Sequence, residues 1–405
     1  MINKNNNTMK NILINRQVVF TIILFLSISS VFAQKSLNEV LLSVEINNKA
    51  IIANKHLWES NKIENKVGLF PDNPTVSYGY FPGNTSEIGI KKTFEISQSL
   101  DFPTVYFKKN ELINDQLALA GFQMIAFRQD ILLEAKLVCY ELVFLNKLKR
   151  KYEDRLTNAS ELLEAYKTKF QNGDANILDL NKAKLQFVEF ENNLRSVESE
   201  ILQYSEKLNF LNGEKPIKFT DDSYSDFLTK DFNKLISDFF EKSPLIKAKQ
   251  SELEIANSRL KLSRTLYLPE IEFGYESEMI MDNSYRGVKV GLSIPLWGKT
   301  NTIKSSKANQ IFMQSQENNL RAELSSIIKQ DYQKLLIMKT NLYNYSKAIE
   351  TYDNAKLLRE SLDAGQISAI EYFMEITYFY NIYDNFLELE KDYYQKLAGL
   401  YKFAL

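Results

Sequence analysis

The sequence predicts a mainly α-helical chain with two membrane-suited β-hairpins, built as two copies of one unit: helix, β-hairpin, long helix, tight tip and return helix. Three observations predict it. Features recur at a fixed offset: Pro74 and Pro269, Phe102 and Trp297, and Ala53 and Ala248 each lie 195 residues apart, and Gly173 and Gly365 lie 192 apart. Each hairpin shows alternation of apolar and polar residues, the period of a half-buried strand. Each hairpin is also followed by a run without helix breakers: residues 104–170 hold no proline and a single glycine, Gly121, and residues 299–364 hold neither.

Composition removes several function classes. A formal net charge of -1 leaves no basic excess to neutralise phosphates, so no nucleic-acid partner is expected. His56 and Cys139 are the only residues of their kinds. Cys/His metal clusters, disulfide frameworks and His-based triads are thereby excluded, no cofactor is expected, and no catalytic cluster of acids stands out. Both lone residues read as packing groups.

Residues 1–33 read as a signal peptide. Lys10 and Arg16 precede an apolar stretch from 18 to 31, and Val31-Phe32-Ala33 ends in small residues before Gln34. Met1 and Met9 are both possible starts. Residues 37–66 follow a helical pattern that Gly68, Pro71 and Pro74 stop. Strands are expected at about 74–81 and 88–100, joined through Pro82-Gly83-Asn84. Pro103 then suits a first helical turn.

As one helix, residues 104–170 would reach about 100 Å. Their apolar positions widen midway, from Ile131 to Leu148, beyond a single seam. A helix with neighbours on two sides, as in the wall of a tube, needs such a surface. The tip Phe170-Gln171-Asn172-Gly173-Asp174 ends it, since glycine tolerates the left-handed conformation of a helix stop. A return helix runs to about residue 211. The second copy begins near 231, passes Pro244 to about 266, carries strands at about 269–279 and 287–297, and turns at Ala364-Gly365-Gln366.

Each hairpin has two unlike faces. Val76, Tyr78, Tyr80, Ile88, Ile90, Phe94 and Ile96, with Ile271, Phe273, Tyr275, Val288, Val290, Leu292 and Ile294, would face lipid. Lys91, Glu95, Glu270, Glu272, Glu276 and Lys289 would face a watery lumen, and Phe81, Phe102, Tyr285 and Trp297 fall near strand ends, where an aromatic girdle belongs. Four strands cannot close a barrel alone, so several chains would have to pool them.

These residues resemble the TolC-like outer-membrane efflux proteins over essentially the whole mature chain. The resemblance rests on the repeated strands Pro74-Thr75-Val76-Ser77-Tyr78-Gly79 and Pro269-Glu270-Ile271-Glu272-Phe273-Gly274, and on the second-strand ends Ile96-Ser97-Gln98-Ser99-Leu100 and Leu292-Ser293-Ile294-Pro295-Leu296. The tip pattern of Phe170, Gly173 and Asp179 completes it.

The resemblance implies a homotrimer in the cell outer membrane of a Gram-negative bacterium. Its twelve pooled strands would form a β-barrel, continued across the periplasm by an α-helical barrel. The implied domains are repeats at 34–215 and 231–405 with a connector at 216–230. It further implies a periplasmic adaptor that meets the tips at Asn172, Gly173, Asp174, Ala364, Gly365 and Gln366, and an inner-membrane pump behind it. Asp179 and Glu371, each six residues past a tip glycine, match an acidic gate position of the family. Ile367 and Met374 stand where the family often carries a base and a second acid. Residue types alone allow a competing reading, a periplasmic or surface coiled-coil scaffold without a channel, and they leave the cargo open.

Overall fold

The structure, a computed structural model, describes residues 36–85, 87–224, 230–281, 283–297, 300–352 and 354–405. The expected signal peptide and part of the connector lie outside these residues.

The longest element is α3 (Pro103–Asn172), one continuous helix of 70 residues. Before it come α1 (Leu37–Asn47), α2 (Lys49–Glu64), β1 (Thr75–Pro82) and β2 (Ile90–Leu100), and α4 (Ile177–Leu211) returns from its tip. The second copy runs α5 (Phe232–Lys242), α6 (Pro244–Thr265), β3 (Glu270–Ile280), β4 (Asn283–Ser293), α7 (Thr300–Thr351), α8 (Ala355–Asp363) and α9 (Ala369–Leu400).

The first helix of each copy, expected to be unbroken, is broken at equivalent places. Asn48 (ψ 120°) divides α1 from α2, and Ser243 (ψ 121°), 195 residues on, divides α5 from α6. At Ser243 the cause is Pro244, which disfavours helical ψ in its predecessor. At Asn48 the cause is tertiary. The side chain, 4% exposed, accepts from the amides of Ala50 and Ile51 and donates to the carbonyl of Leu211, the last residue of α4. The end of α4 therefore meets the start of α2, and the two stack as one interrupted rod.

The second long helix is also interrupted, between α7 and α8, against the expectation from its lack of proline and glycine. Beside the break a cavity of about 690 Å³ opens between α7 and α9, lined by Tyr345, Ile349, Tyr352, Leu358, Glu375 and Tyr378 among others.

The strands form one antiparallel sheet in the order β1-β2-β3-β4. The helices lie side by side in the same order: α2 and α4 pack on α3, α3 packs on α6 and α9, and these pack on α7. Since β1 follows α2, β2 leads into α3, β3 follows α6 and β4 leads into α7, each strand continues one helical rod. Sheet and helix layer both end in open edges, at β1 with α2/α4 and at β4 with α7.

The middle of α3 buries Leu132, Val138, Cys139, Leu142, Val143 and Leu145. Val40 and Val44 of α1, Leu208 and Leu211 of α4, and Ile217, Phe219 and Tyr224 of the connector join this core. The Tyr224 ring stacks on Tyr394 of α9 at 4.3 Å. Cys139 is fully buried, as expected, and burial pushes its thiol pKa up. His56, expected to pack, is exposed on α2, an element with no buried residue.

Candidate functional site

Two regions carry the functional expectations: the helical tips and the polar face of the sheet.

At the first tip, Gly173 has φ +82°, and its amide donates to Phe170 O while the Asp174 amide donates to Lys169 O at 2.8 Å. The second tip repeats the motif, with Gly365 at φ +70°, its amide on Leu362 O and that of Gln366 on Ser361 O at 2.9 Å. Asn172, Gly173, Asp174, Ala364, Gly365 and Gln366 are all exposed. Behind them one apolar cluster joins the tips: Leu162, Leu163 and Tyr166 of α3, Ala183 of α4, Leu362 of α8, and Tyr372, Phe373 and Ile376 of α9. Ile367 packs against this cluster, which accounts for an apolar residue at that place, and Met374 is exposed.

Asp179 and Glu371 are the third residues of α4 and α9, where a carboxylate is favoured by unpaired helix amides. Glu371 is engaged there. Its carboxylate accepts from the Ser368 amide at 2.8 Å, and Ser368 Oγ accepts from the Glu371 amide, a reciprocal capping box. The Ser368 backbone N–H holds the carboxyl below its ordinary pKa. Asp179 donates its own amide to the Asn176 cap, and its charge helps raise the pKa of Tyr166, after burial. Tyr372 is pushed up to about 12, chiefly by burial.

Sequence reasoning missed the main lock between the two hairpins. Arg155 of α3, 4% exposed, makes a two-pronged pair with Asp384 of α9 at 2.6 and 2.8 Å, its guanidinium lying over Tyr380 at 4.4 Å. Lys147 pairs with Glu390 at 2.6 Å along the same seam. No local pattern announces partners 229 residues apart.

In the sheet, cross-strand partners share a face. The register Glu95↔Glu276 and Gly274↔Lys289 places Lys91, Glu95, Glu270, Glu272, Glu276 and Lys289 together, and adds Glu278, which the sequence reading omitted. Five carboxylates face two ammonium groups, a net -3. Lys91 pairs with Glu278 at 2.7 Å and Lys289 with Glu95 at 3.1 Å. The opposite face groups Val76, Tyr78, Phe94, Ile96, Phe273, Tyr275, Val288, Val290 and Leu292. Two expectations are corrected: Phe81 pairs with Lys91 and Tyr285 with Glu278, so both rings lie on the polar face rather than in an outer girdle. Lys92 and Arg286 lie on the apolar face near its hairpin end, Lys92 opposite Tyr80 and Arg286 opposite Ser277.

β4 starts four residues earlier than expected, because Asn283 already pairs with Ile280, next to Met281 at φ +53°. Trp297 then falls beyond the strand, 81% exposed.

Solved structures that share this layout include outer-membrane channels. The CusC structure superposes with a TM-score of 0.76 at 12% identity, covering 92% of each chain. The fold is that of the TolC-like channels. The CmeC outer membrane channel of Campylobacter jejuni gives 0.74 at 15% identity, over 92% of this chain and 86% of that one. The outer membrane protein VceC of Vibrio cholerae gives 0.73 at 13%, over 90% and 95%. No family model matches the sequence, and no curated protein sequence does. The TolC-like fold thus rests on layout where sequence identity is low. Among the described residues no helix is long and apolar enough to cross a membrane, and no group of His, Cys, Asp or Glu is placed to hold a metal ion.

Proposed function

We propose that the chain is one third of an outer-membrane exit duct for a tripartite efflux or export system. The observation that carries the reading is the pair of open edges. A sheet edge exposes unpaired backbone groups that lipid cannot satisfy. The helix layer beside it leaves apolar side chains uncovered: Leu178, Leu185 and Leu202 on α4, and Ile311, Phe312, Leu336 and Ile337 on α7. With the β1 edge of one copy set on the β4 edge of the next, the contact between copies is head-to-tail, and a rotation of one third of a turn per copy closes it as a ring. Three copies would supply twelve strands, within the range of membrane barrels.

In that assembly the apolar face meets lipid and the polar face lines a watery lumen. Lys92 and Arg286 fall near the hairpin end, at headgroup depth, where a lipid-facing cation costs about 0–1 kcal/mol. The rods form a helical tube in the periplasm, and the exposed tips meet an adaptor coupled to an inner-membrane pump. The duct performs no reaction and moves cargo along an aqueous path. Opening separates the tip hairpins, and a ring of Glu371 and Asp179 at the narrow end attracts cations by field focusing.

Planar-bilayer conductance of the purified protein, together with its oligomeric state, tests the reading. Trimers with discrete conductance steps are expected. Stable trimers without conductance, even with altered tips, point instead to a scaffold. Gly173→Pro with Gly365→Pro removes amides donated at both tips and forbids the positive φ. Trimers with full export in that variant would show that the tips are not the coupling site.

A further inference from the structure

The end of α2 and the turn after it leave large apolar side chains uncovered: Ile63 is 71% exposed, Val67 79% and Phe70 77%. They are spaced by four and three residues, along a chain that continues from the helix through successive turns, with the Val67 amide on Glu64 O and the Leu69 amide on Lys66 O. The turn has room, since Gly68 has φ +80° and a Cβ there would meet nothing.

Its place is fixed against the sheet. Gln98, on the apolar face near the end of β2, donates Nε2 to the carbonyl of Asp72 at 2.7 Å, only two residues past Phe70. Phe107, Leu296 and Trp297, 66% exposed or more, belong to the same end, just beyond β2 and β4. Strands of 11 residues tilted by about 40° span about 25 Å, the height of a lipid-facing band. Residues just past that end stand at the boundary between acyl chains and headgroups, the level preferred by tryptophan and by apolar anchors. Lys62 and Lys66, both exposed, precede Ile63 and Val67, and the Lys62 ammonium lies 5.2 Å from the centre of the Trp58 ring; lysines so placed can meet lipid phosphates at that level.

We infer that residues 63–70 form an interfacial anchor that seats in the periplasmic leaflet and fixes the depth of the barrel. The inference rests on the proposed lipid-facing sheet, and its occupant is the lipid surface rather than a second protein.

Cys139 is the only cysteine of the chain, so single cysteines introduced into a Cys139→Ala background can be spin-labelled selectively. Labels at Val67→Cys and Phe70→Cys are compared with Val290→Cys on the sheet and Lys356→Cys near the tip, in vesicles of phosphatidylethanolamine and phosphatidylglycerol. Collision with oxygen and with a water-soluble nickel chelate is measured. The anchor predicts that labels at 67 and 70 favour oxygen over nickel, at shallower depth than 290. Nickel access equal to that at 356 overturns it, and shielding from both reagents overturns it in favour of cover by a second copy. If the label at 290 is itself open to nickel, the lipid-facing reading of the sheet fails instead.

Discussion

Asn48 donates its carboxamide to the carbonyl oxygen of Leu211 at 2.7 Å, while its Oδ1 accepts from the amides of Ala50 and Ile51 at 3.0 Å. One buried side chain thus satisfies the last carbonyl of α4 and the first amides of α2. Ser43 and Asn47 reinforce the junction by donating to Asn212 Oδ1.

Asn48→Ala is expected to destabilise the protein by about 2–3 kcal/mol, from a lost cap of about 1 kcal/mol and a buried carbonyl left without its donor. Asn48→Asp keeps the cap but loses the donor, and should recover only part of that loss. Denaturant titration of the three proteins orders them, and equal midpoints for alanine and asparagine would refute the splice.

The lock between the hairpins makes a second prediction. Removing one partner of a buried ion pair costs about 3–5 kcal/mol because the other charge stays behind. Asp384 is partly exposed, so Asp384→Asn should sit at or just below the lower end of that range. Arg155→Met with Asp384→Leu should recover stability relative to Asp384→Asn, since no lone charge remains. In a bilayer the single variant should also leak more at rest than the parent, because α3 and α9 are held together at this seam.

Much of this was legible in advance, for particular reasons. The hairpin faces follow from period two, and the tips from glycines that take positive φ. The 195-residue offset located the second hairpin from the first. The junction at Asn48 was not legible, because the Asn47-Asn48 cap signal is short within a continuing helical pattern and its partner Leu211 lies 163 residues away. The equivalent break at Ser243 was missed although Pro244 marks it, because the helical pattern continues beyond the proline. Phe81 and Tyr285 were misplaced because nearness to a strand end was weighed above the alternation, which already sets Phe81 on the face opposite Tyr80 and Tyr285 on the face opposite Val288. Glu278 was missed because β3 is longer than its apolar alternation. Glu371 lies in the first turn of α9, and its capping box with Ser368, which the gate expectation did not include, engages the group assigned to the pore.

Acidity should loosen the upper wall. Glu111 of α3 is bound by Lys108 and by Lys261 of α6, each at 2.6 Å, and these ammonium groups lower its pKa from 4.5 to about 2. Lys230 and Lys242 likewise hold Asp238 at about 2. A carboxylate with a depressed folded pKa binds fewer protons folded than unfolded, so its stabilising effect is complete above about pH 4.5 and fades toward pH 2. The melting temperature should fall over that window, and Glu111→Gln, less stable than the parent at pH 6, should converge with it near pH 2. An unchanged gap would show that the lysine bridge contributes nothing.

The charge on the sheet's polar face makes the last prediction. Within a lumen about one barrel wide, three copies would carry about nine excess negative charges, against low-dielectric walls that focus the field. Lys91 and Lys289 are already engaged with Glu278 and Glu95, so Glu272 and Glu276 are the carboxylates whose removal least disturbs the sheet's own pairs. Glu272→Gln with Glu276→Gln should leave trimer stability nearly unchanged and shift the reversal potential in a salt gradient toward zero. Lys289→Gln should move it the other way, by releasing Glu95. If both variants keep the parent's reversal potential while Glu371→Gln shifts it, selectivity resides at the tips and the barrel face is only a wet wall. If none shifts it, the polar face does not line the conducting path, and the pairing of strands from separate copies has to be reconsidered.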